Sequence, residues 1–357
     1  MPAPVSVGGR RVVLCGDPGV PALGPSGASA HLRGIARALG APIVCVEPVD
    51  RRGSGGASAV PIYAGGRAGW PTWAPRQGLR EVRTARRCVD LAVRLRPDLV
   101  WERHALYSDA GWKVHAATGA RWVLEVNAPL AEERARAGVL ADPDHARGWE
   151  RDLLLAAPDV VAVSTWLVDW LRDLGCTSVR HLPNGVEGHR GDRDQTRDRL
   201  GLGEAYVLVY VGSGRAWQGL DRLPALLDRL PHAVGLAVGD PTGVPAHPRL
   251  RALGQLDEPA VADVIAAADV GLAPYTAAAP PWFCPLKVLA YRAQGTPVVS
   301  ADVGDARALV GDAGTVLGGT ATDAAWAEAI DGWRGRRAAP EVRTWDQVAA
   351  EGLRPAS

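Results

Sequence analysis

PPWFCPLKVLAYRAQGTPVVSADVG, residues Pro280 to Gly304, sets the reading of the whole chain. Its pattern is a loop, a helix entered at Pro285 and running to about Gln294, a turn at Gly295, and a strand at Pro297-Val298-Val299. Proline is tolerated in a first helical turn because its missing N–H would have no partner there. Glycine ends helices, and a short β-branched run fits a strand buried in a parallel sheet. Lys287 falls in the first turn of this helix, and the only other lysine of the chain is Lys113. The free N–H groups and dipole of a helix start favour an anion, so an ammonium placed there suits a diphosphate. Lys287, Ala290 and Tyr291 share one face by their spacing. A first-turn lysine that reaches solvent is the alternative these residues leave open.

The chain has 357 residues, which predicts two domains of about 150–200 residues each. A net charge of +1 gives no broad attraction to nucleic acid or to an anionic membrane. Cys15, Cys45, Cys88, Cys176 and Cys284 are odd in number and widely spaced, with no CxxC pair, which favours reduced thiols over a disulfide framework or a zinc site. The chain opens without a signal peptide pattern, and no apolar run reaches the roughly 20 residues a bilayer requires. The expectation is a soluble, cytoplasmic protein without stable membrane association.

Arg11 to Cys15 is a first buried strand, followed by the loop GDPGVPALGPSGASAH and a helix from Leu32. Gly19 to Ser26 mimics a phosphate-binding loop, but Pro25 stands where the essential lysine would be. Ile43 to Val46 is a second strand, and Arg51 to Ser58 is a glycine-rich loop. A basic amphipathic helix follows, with Val82, Ala85, Val89, Ala92 and Val93 on one side and Arg76, Arg80, Arg83 and Arg87 on another. It is read as a solvated face on a packing helix rather than a lipid surface, since its apolar side lacks bulk. LVWERHALY and RWVLEVNAPL are strands whose ends carry Arg103, His104, Glu125 and Asn127. Carboxyl ends of parallel strands are where open α/β sheets take ligands, so these four are predicted to line one crevice. Trp70, Trp73, Trp101 and Trp112 add aromatic surface to that domain, where a tryptophan serves either the core or sugar stacking.

Val160 to Ser164 is expected to be the last strand of the first domain, with a helix at Thr165–Leu174. The charged run Glu187 to Arg199 is read as a solvated connection. Tyr206 to Tyr210 then restarts the pattern, leading through Gly212, Ser213 and Arg215 into an amphipathic helix, again an anion cradle. Val234 to Val238 ends in Gly239-Asp240, and a helix at Glu258–Ala267 precedes a strand at Asp269–Pro274.

FCPLKVLAYRAQGTPVVSADVG resembles the donor-binding segment of family 4 retaining glycosyltransferases, in which Pro-Leu-Lys is followed by two apolar residues, Glu, a small residue, Gly and Pro-Val-Val. Two positions depart from that form: Ala290 replaces the Glu that binds the donor ribose, and Trp282 replaces a further acidic residue. GPSGASAH resembles the donor-facing glycine loop, matching at Gly27, Ala28, Ser29 and His31, with Ser26 in place of Lys. EVNAPL is similar to a bacterial branch that has Asn127 where many relatives carry a catalytic-site His. HLPNGVE resembles the interdomain signature. Arg215 matches the first basic position after the second glycine turn, and Gln218 replaces the second. Leu253 to Leu256 resembles the segment that meets the nucleobase, and VRTWDQVAAEGL the terminal helix, anchored by Trp345.

The resemblance implies an α/β protein of GT-B fold, two Rossmann-like domains with parallel sheets facing across a cleft. The expected boundaries are 1–184, 185–335, and a terminal helix in 336–357 packing back across the domains. It implies a metal-independent retaining transfer from a dTDP- or UDP-sugar to a small polar acceptor in natural-product biosynthesis, with no cofactor beyond the nucleotide sugar. Arg215, Lys287, Asn127 and Glu125 would be catalytic. Gly27, Ala28, Gly212, Ser213, Asp240, Leu256, Phe283, Cys284, Pro285, Leu286 and Ala290 would bind the donor. His31, Arg103 and His104 would bind the acceptor. No nucleic acid partner is expected, and a homodimer is entertained. Ala290 leaves two explanations open: a deoxyribose donor, or a degenerate homologue that binds another transferase without catalysis. An epimerase would require acid–base groups in the cleft, and a phosphorylase a cofactor-anchoring lysine that the sequence lacks.

Overall fold

The computed structural model of the protein describes residues 9–17, 19–24, 26–48, 62–68 and 77–355. Pro25, the loop Arg51 to Ser58, Trp70, Trp73 and Arg76 lie outside the described residues, as do the side chains of Arg80, Val82, Arg83 and Ala85. The chain divides into two units, residues 1–184 with 345–357, and residues 185–344.

The first unit alternates strand and helix: β1 (Arg11–Cys15), α1 (Gly27–Leu39), β2 (Ile43–Pro48), β3 (Ile62–Ala68), α2 (Gln77–Arg94), β4 (Leu99–Arg103), α3 (Ala110–Thr118), β5 (Arg121–Val126), α4 (Leu130–Arg136), α5 (Pro143–Ala156), β6 (Val160–Ala162), α6 (Thr165–Asp173) and β7 (Val179–His181). Its seven strands pair in parallel in the order β3-β2-β1-β4-β5-β6-β7. The first six positions are the doubly wound Rossmann order, in which the winding reverses between β1 and β4. β7 is an edge strand beyond the expected last one. β6 stops at Ala162 because Ser164 turns to cap α6, its hydroxyl accepting from the Leu167 N–H at 3.3 Å.

α1 starts five residues earlier than expected. Ser26 caps it, accepting from the Ser29 N–H at 3.1 Å, so Gly27, Ala28 and Ser29 form a helical turn rather than an open glycine loop. Serine is among the best caps, and the small residues behind it do not resist the helix.

One face of the first sheet carries Cys15, Trp101, Arg103 and Glu125 in register. The other carries Glu102 and Trp122 under α3. The Glu102 carboxylate accepts from Trp122 Nε1 at 3.0 Å, the Gly111 N–H at 3.2 Å and the Ser108 hydroxyl at 3.3 Å. Burial nevertheless pushes it up to about 7.

The second unit contains α7 (Arg193–Arg199), β8 (Tyr206–Gly212), α8 (Leu223–Arg229), β9 (Ala233–Gly239), β10 (Leu250–Gly254), α9 (Glu258–Ala267), β11 (Val270–Ala273), α10 (Leu286–Ala293), β12 (Val298–Ala301), α11 (Ala306–Val310), β13 (Gly314–Leu317) and α12 (Asp323–Asp331). Its six parallel strands run β10-β9-β8-β11-β12-β13, the same order with its reversal between β8 and β11. Two sequence expectations change here. The charged run is not merely a solvated connection, because α7 packs on α9. Arg193 donates to the carbonyls of Ala266, Ala267 and Ala268 and pairs with Asp269 at 2.6 Å, neutralising the helix end. The helix after β8 is also delayed. Ser213 to Arg215 lead into single 3-10 turns at Ala216–Gln218 and Leu220–Arg222, and α8 begins only where Pro224 supplies a favoured first-turn residue.

The last helix, α13 (Trp345–Gly352), belongs to the first unit, and the boundary falls at 344/345 rather than 335/336. Arg121 and Arg180 hold its end. Both pair with Asp159, at 2.5 and 2.6 Å, and donate to the carbonyls of Leu353 and Gly352, which a helix leaves unsatisfied. At its start, the buried Trp345 ring lies where a Cβ on Gly34 of α1 would stand, only 2.3 Å from the ring. Among the described residues no helix is long and apolar enough to cross a membrane.

Gly34→Ala is therefore expected to lower stability by about 1–3 kcal/mol through overpacking against Trp345, read by chemical denaturation. An unchanged midpoint would mean that α13 can lift from α1 at no cost.

Candidate functional site

The second unit's reversal point lies between the carboxyl ends of β8 and β11, where the chain leaves through Gly212 on one side and Pro274-Tyr275 on the other. Lys287 enters this place from the first turn of α10, for which Pro285 is the cap. Its side chain does not reach solvent. Lys287 is only 8% exposed, and its Nζ has no hydrogen-bond partner among the described residues. Nζ stands 4.0 Å from the centre of the Tyr210 ring and 5.1 Å from that of Tyr275. Both distances fall in the cation–π range. Burial, with no acidic neighbour to offset it, brings the ammonium down to about 7.

Gly212 closes the group. A Cβ there would meet Gln218 Oε1 at 2.5 Å, the Tyr210 hydroxyl at 2.8 Å and Lys287 Nζ at 3.0 Å. Tyr210 donates to Gln218 Oε1 at 2.8 Å. Tyr291, one turn beyond Lys287, receives the Val211 N–H at 3.0 Å and donates to the Leu272 carbonyl at 3.1 Å, tying α10 to β8 and β11. Lys287 and Tyr291 are buried together, whereas Ala290 is half-buried against the core. Phe283 packs edge-on to Tyr275 at 5.3 Å and Trp217 at 5.1 Å.

The structure thus gathers Lys287 and Gly212 with Tyr210, Tyr275 and Gln218. Cys284 and Pro285 lie on the approach to α10, Leu286 is its first residue, and Trp282 is buried. Arg215 is exposed where the first 3-10 turn begins, three residues past Gly212, and Ser213 is exposed beside it. Asp240 is turned onto Thr242, accepting its N–H at 2.9 Å and its hydroxyl at 2.7 Å, which holds the carboxyl below the usual range. Leu256 is exposed beyond β10. Glu187, His189 and Glu258 bring their ligand atoms within 4.8 Å of one another on the surface of this unit, a trio with no assigned role.

In the first unit the predicted crevice is divided. Glu125 is not open to a ligand: it accepts from His31 Nε2 at 2.5 Å and Trp101 Nε1 at 3.0 Å, and all three residues are buried. Burial pushes its carboxyl up, but the His31 imidazole, Arg103 and the Trp101 N–H more than offset this and hold it below its ordinary value. His31, expected at the acceptor, is engaged by Glu125 and lies 4.7 Å from the Trp345 ring. Trp101 is core, while Trp112 is exposed on α3. The reason is geometric. Glu125 lies inside β5 on the face that α1 covers, whereas a ligand group must sit past the strand end.

His104 does lie past the end of β4. Its Nε2 meets Glu150 Oε1 at 2.9 Å, and the same carboxylate accepts from the Leu130 N–H at 2.8 Å at the start of α4. The buried nitrogens Arg103 Nη1, His104 Nδ1 and Asn127 Nδ2 have no hydrogen-bond partner among the described residues. Nearby, Tyr107 holds a left-handed φ of 66°, a strained conformation that clusters at functional loops.

Sequence reasoning missed Tyr210, Tyr275 and Glu150. Tyr210 had a readable signal, since it stands two residues before Gly212 and shares its face in a strand. Glu150 had none, because it meets His104 across 46 residues.

Residues 25–190 match the family described as Glycosyltransferase Family 4, and residues 205–333 match Glycosyl transferases group 1. The chain is of the group 1/family 4 glycosyltransferase type. No curated protein sequence matches it. Sucrose-phosphate synthase from Thermosynechococcus elongatus is similar in structure, at 20% identity and a TM-score of 0.66, over 96% of this chain and 94% of that one. Anabaena HepE in complex with UDP-glucose is similar at 17% identity and a TM-score of 0.66, over 96% and 94%. AviGT4, a glycosyltransferase involved in avilamycin A biosynthesis, is similar at 16% identity and a TM-score of 0.53, over 96% and 92%. These likenesses show the GT-B fold in this glycosyltransferase-type chain.

Glu125→Gln is expected to lower stability by about 1–3 kcal/mol at neutral pH, because an amide offers one acceptor oxygen to two buried donors. The depressed carboxyl stabilises above its unfolded value, and that contribution is lost as pH falls through the folded value. The variant should therefore lose less stability than the parent on acidification, as measured by denaturation at several pH values. Equal acid sensitivity would remove Glu125 from this role.

Proposed function

We propose that the protein transfers a sugar from a nucleoside diphosphate sugar to a small polar acceptor, with the donor held in the second unit. The observation that carries this reading is the buried Lys287 amine nitrogen, without a hydrogen-bond partner among the described residues, at the first turn of α10 and beside the glycine end of β8. A helix start and a lysine converging at a sheet's reversal point suit the diphosphate of a donor. The match of residues 205–333 to a glycosyltransferase family supports it. HepE has been crystallised with UDP-glucose, which recommends UDP-sugars among the first probes.

In this mechanism Lys287, Arg215 and the free N–H groups of α10 stabilise the negative charge growing on the departing diphosphate, without a metal ion. The sugar is transferred with retention: the acceptor hydroxyl attacks from the face the diphosphate leaves, and a donor phosphate oxygen takes its proton. No side-chain nucleophile is invoked. The unpaired nitrogens of Arg103, His104 and Asn127 are assigned to acceptor hydroxyls.

Ala290, where relatives carry a ribose-binding Glu, favours a dTDP-sugar, whose deoxyribose has one hydroxyl fewer. Losing that carboxylate forfeits charge-assisted hydrogen bonds of about 1.5–3 kcal/mol each. A dTDP-sugar donor is the form expected in a natural-product pathway.

A thermal-shift panel with UDP, dTDP, GDP and ADP and their sugars tests the donor. A ligand at a hundred times its dissociation constant adds about 2.7 kcal/mol, a rise of a few degrees. No rise with any of them would favour a homologue that has lost its donor. Lys287→Met should lower turnover by about 10²–10³-fold, and turnover within tenfold of the parent would remove Lys287 from the mechanism. Ala290→Glu should tighten UDP relative to dTDP, and unchanged selectivity would count against the deoxyribose argument.

A further inference from the structure

Lys287 is a buried base with no acidic partner among the described residues. Among the described residues, the polar groups placed around it are the Tyr210 ring from β8, the Tyr275 ring from the loop after β11 and Gln218 from the 3-10 turn, with Tyr291 buried one turn on along its own helix. Burial raises the three phenols, so none offers a negative charge near neutral pH. Gln218 Oε1 receives the Tyr210 hydroxyl and takes no hydrogen bond from Nζ. Arg215 is exposed, and its charge is of the same sign as an ammonium. Aromatic faces attract an ammonium but do not replace its hydration or a counter-ion. A cation enclosed on these terms is costly, and a lysine answers such a site by giving up its proton.

We propose that donor binding is coupled to proton uptake: the Lys287 nitrogen, enclosed by two tyrosine rings with no acid beside it among the described residues, takes up a proton and becomes an ammonium as the diphosphate of the nucleotide sugar arrives. The proton comes from solvent and takes the Nζ lone pair, and no bond of the donor forms or breaks in this step. The two tyrosine rings receive one side of the ammonium and the phosphate oxygens the other. Tyr210 and Tyr275 are thereby positioning residues, which act on the donor through Lys287. The inference rests on the reading of this place as the donor site, and it adds that the site's charge is supplied on demand. Burial brings the free ammonium to about 7, so the same donor should bind more weakly as pH rises beyond that value.

Calorimetry on the full chain separates the two claims. UDP-glucose, dTDP-glucose, GDP-mannose and ADP-glucose are titrated at pH 8 in Hepes and in Tris, whose heats of ionisation differ. A nucleotide sugar has both phosphates esterified and does not itself titrate near pH 8, so a buffer-dependent heat reports a proton moving on the protein. The expected result is uptake of most of one proton, with affinity falling about tenfold per pH unit between pH 7.5 and 9. Lys287→Met should bind more weakly, with no uptake and a flat pH profile. Tyr275→Phe, which keeps the ring, should retain the uptake. Binding with equal heats in the two buffers and a flat profile in the parent would overturn the proton coupling and leave the donor site standing. Uptake that persists in Lys287→Met would place the proton elsewhere and overturn it too. No binding of any of the four sugars would overturn both the donor reading and the inference.

Discussion

A parallel sheet wound outward in both directions must send its connections to opposite faces at one place, and the strand ends there are left without a covering helix. Both sheets of this protein obey that constraint, with the reversal between β1 and β4 in one and between β8 and β11 in the other. Whatever the chain places at those ends stands at the opening that a doubly wound sheet cannot close by its own winding.

The two units answer the same constraint in opposite ways. In the first, the buried carboxylates near the strand ends are satisfied from within. Glu125 has His31 and Trp101, Glu102 has three donors, and Glu150 serves both His104 and the start of α4. A buried carboxylate held in this manner fixes elements in place: Glu125 joins α1 to β5, and Glu150 joins β4, α4 and α5. In the second unit the charge is left open. Lys287 has aromatic faces and no acceptor, so its free energy depends on what comes to it from outside the unit. Residues of similar burial therefore differ in kind, and the hydrogen-bond inventory separates structural charges from available ones where burial does not.

The sequence made the architecture legible where a short local pattern carries it. The strand at Arg11–Cys15 and the helix at Glu258–Ala267 have the bounds their composition predicts, because each is a continuous apolar or periodic run with a clear cap or turn. α1 begins five residues before its composition suggests, because GASA has a loop's composition and becomes a helix through the Ser26 cap. The run Glu187 to Arg199 is more than a solvated connection, because charge pattern alone does not reveal that Arg193 and Arg197 reach carbonyls some 70 residues away. In the site, Lys287 was visible from its spacing to Pro285 and Gly295. Its enclosure was not, since Tyr210 in β8 and Tyr275 in the loop after β11 meet α10 only in the folded unit. Glu125 shows the reverse error. A polar residue near a strand end suggested a ligand, whereas its position inside β5, on the face covered by α1, committed it to the core.

Two departures from the family pattern are linked by this geometry. Gln218 stands where a second basic residue is usual, and its amide oxygen holds the Tyr210 hydroxyl. A basic side chain there would place a second cation near Nζ, raise the cost of charging Lys287, and leave the Tyr210 hydroxyl without its acceptor. Ala290 removes a carboxylate one turn along the same helix, and a carboxylate there would have favoured the ammonium in the absence of donor. With both groups absent, neither a cation nor an anion among the described residues fixes the charge of Lys287. On the proposed reading the diphosphate would then be the strongest electrostatic influence on it, and recognition of the donor and charging of the lysine would become one event.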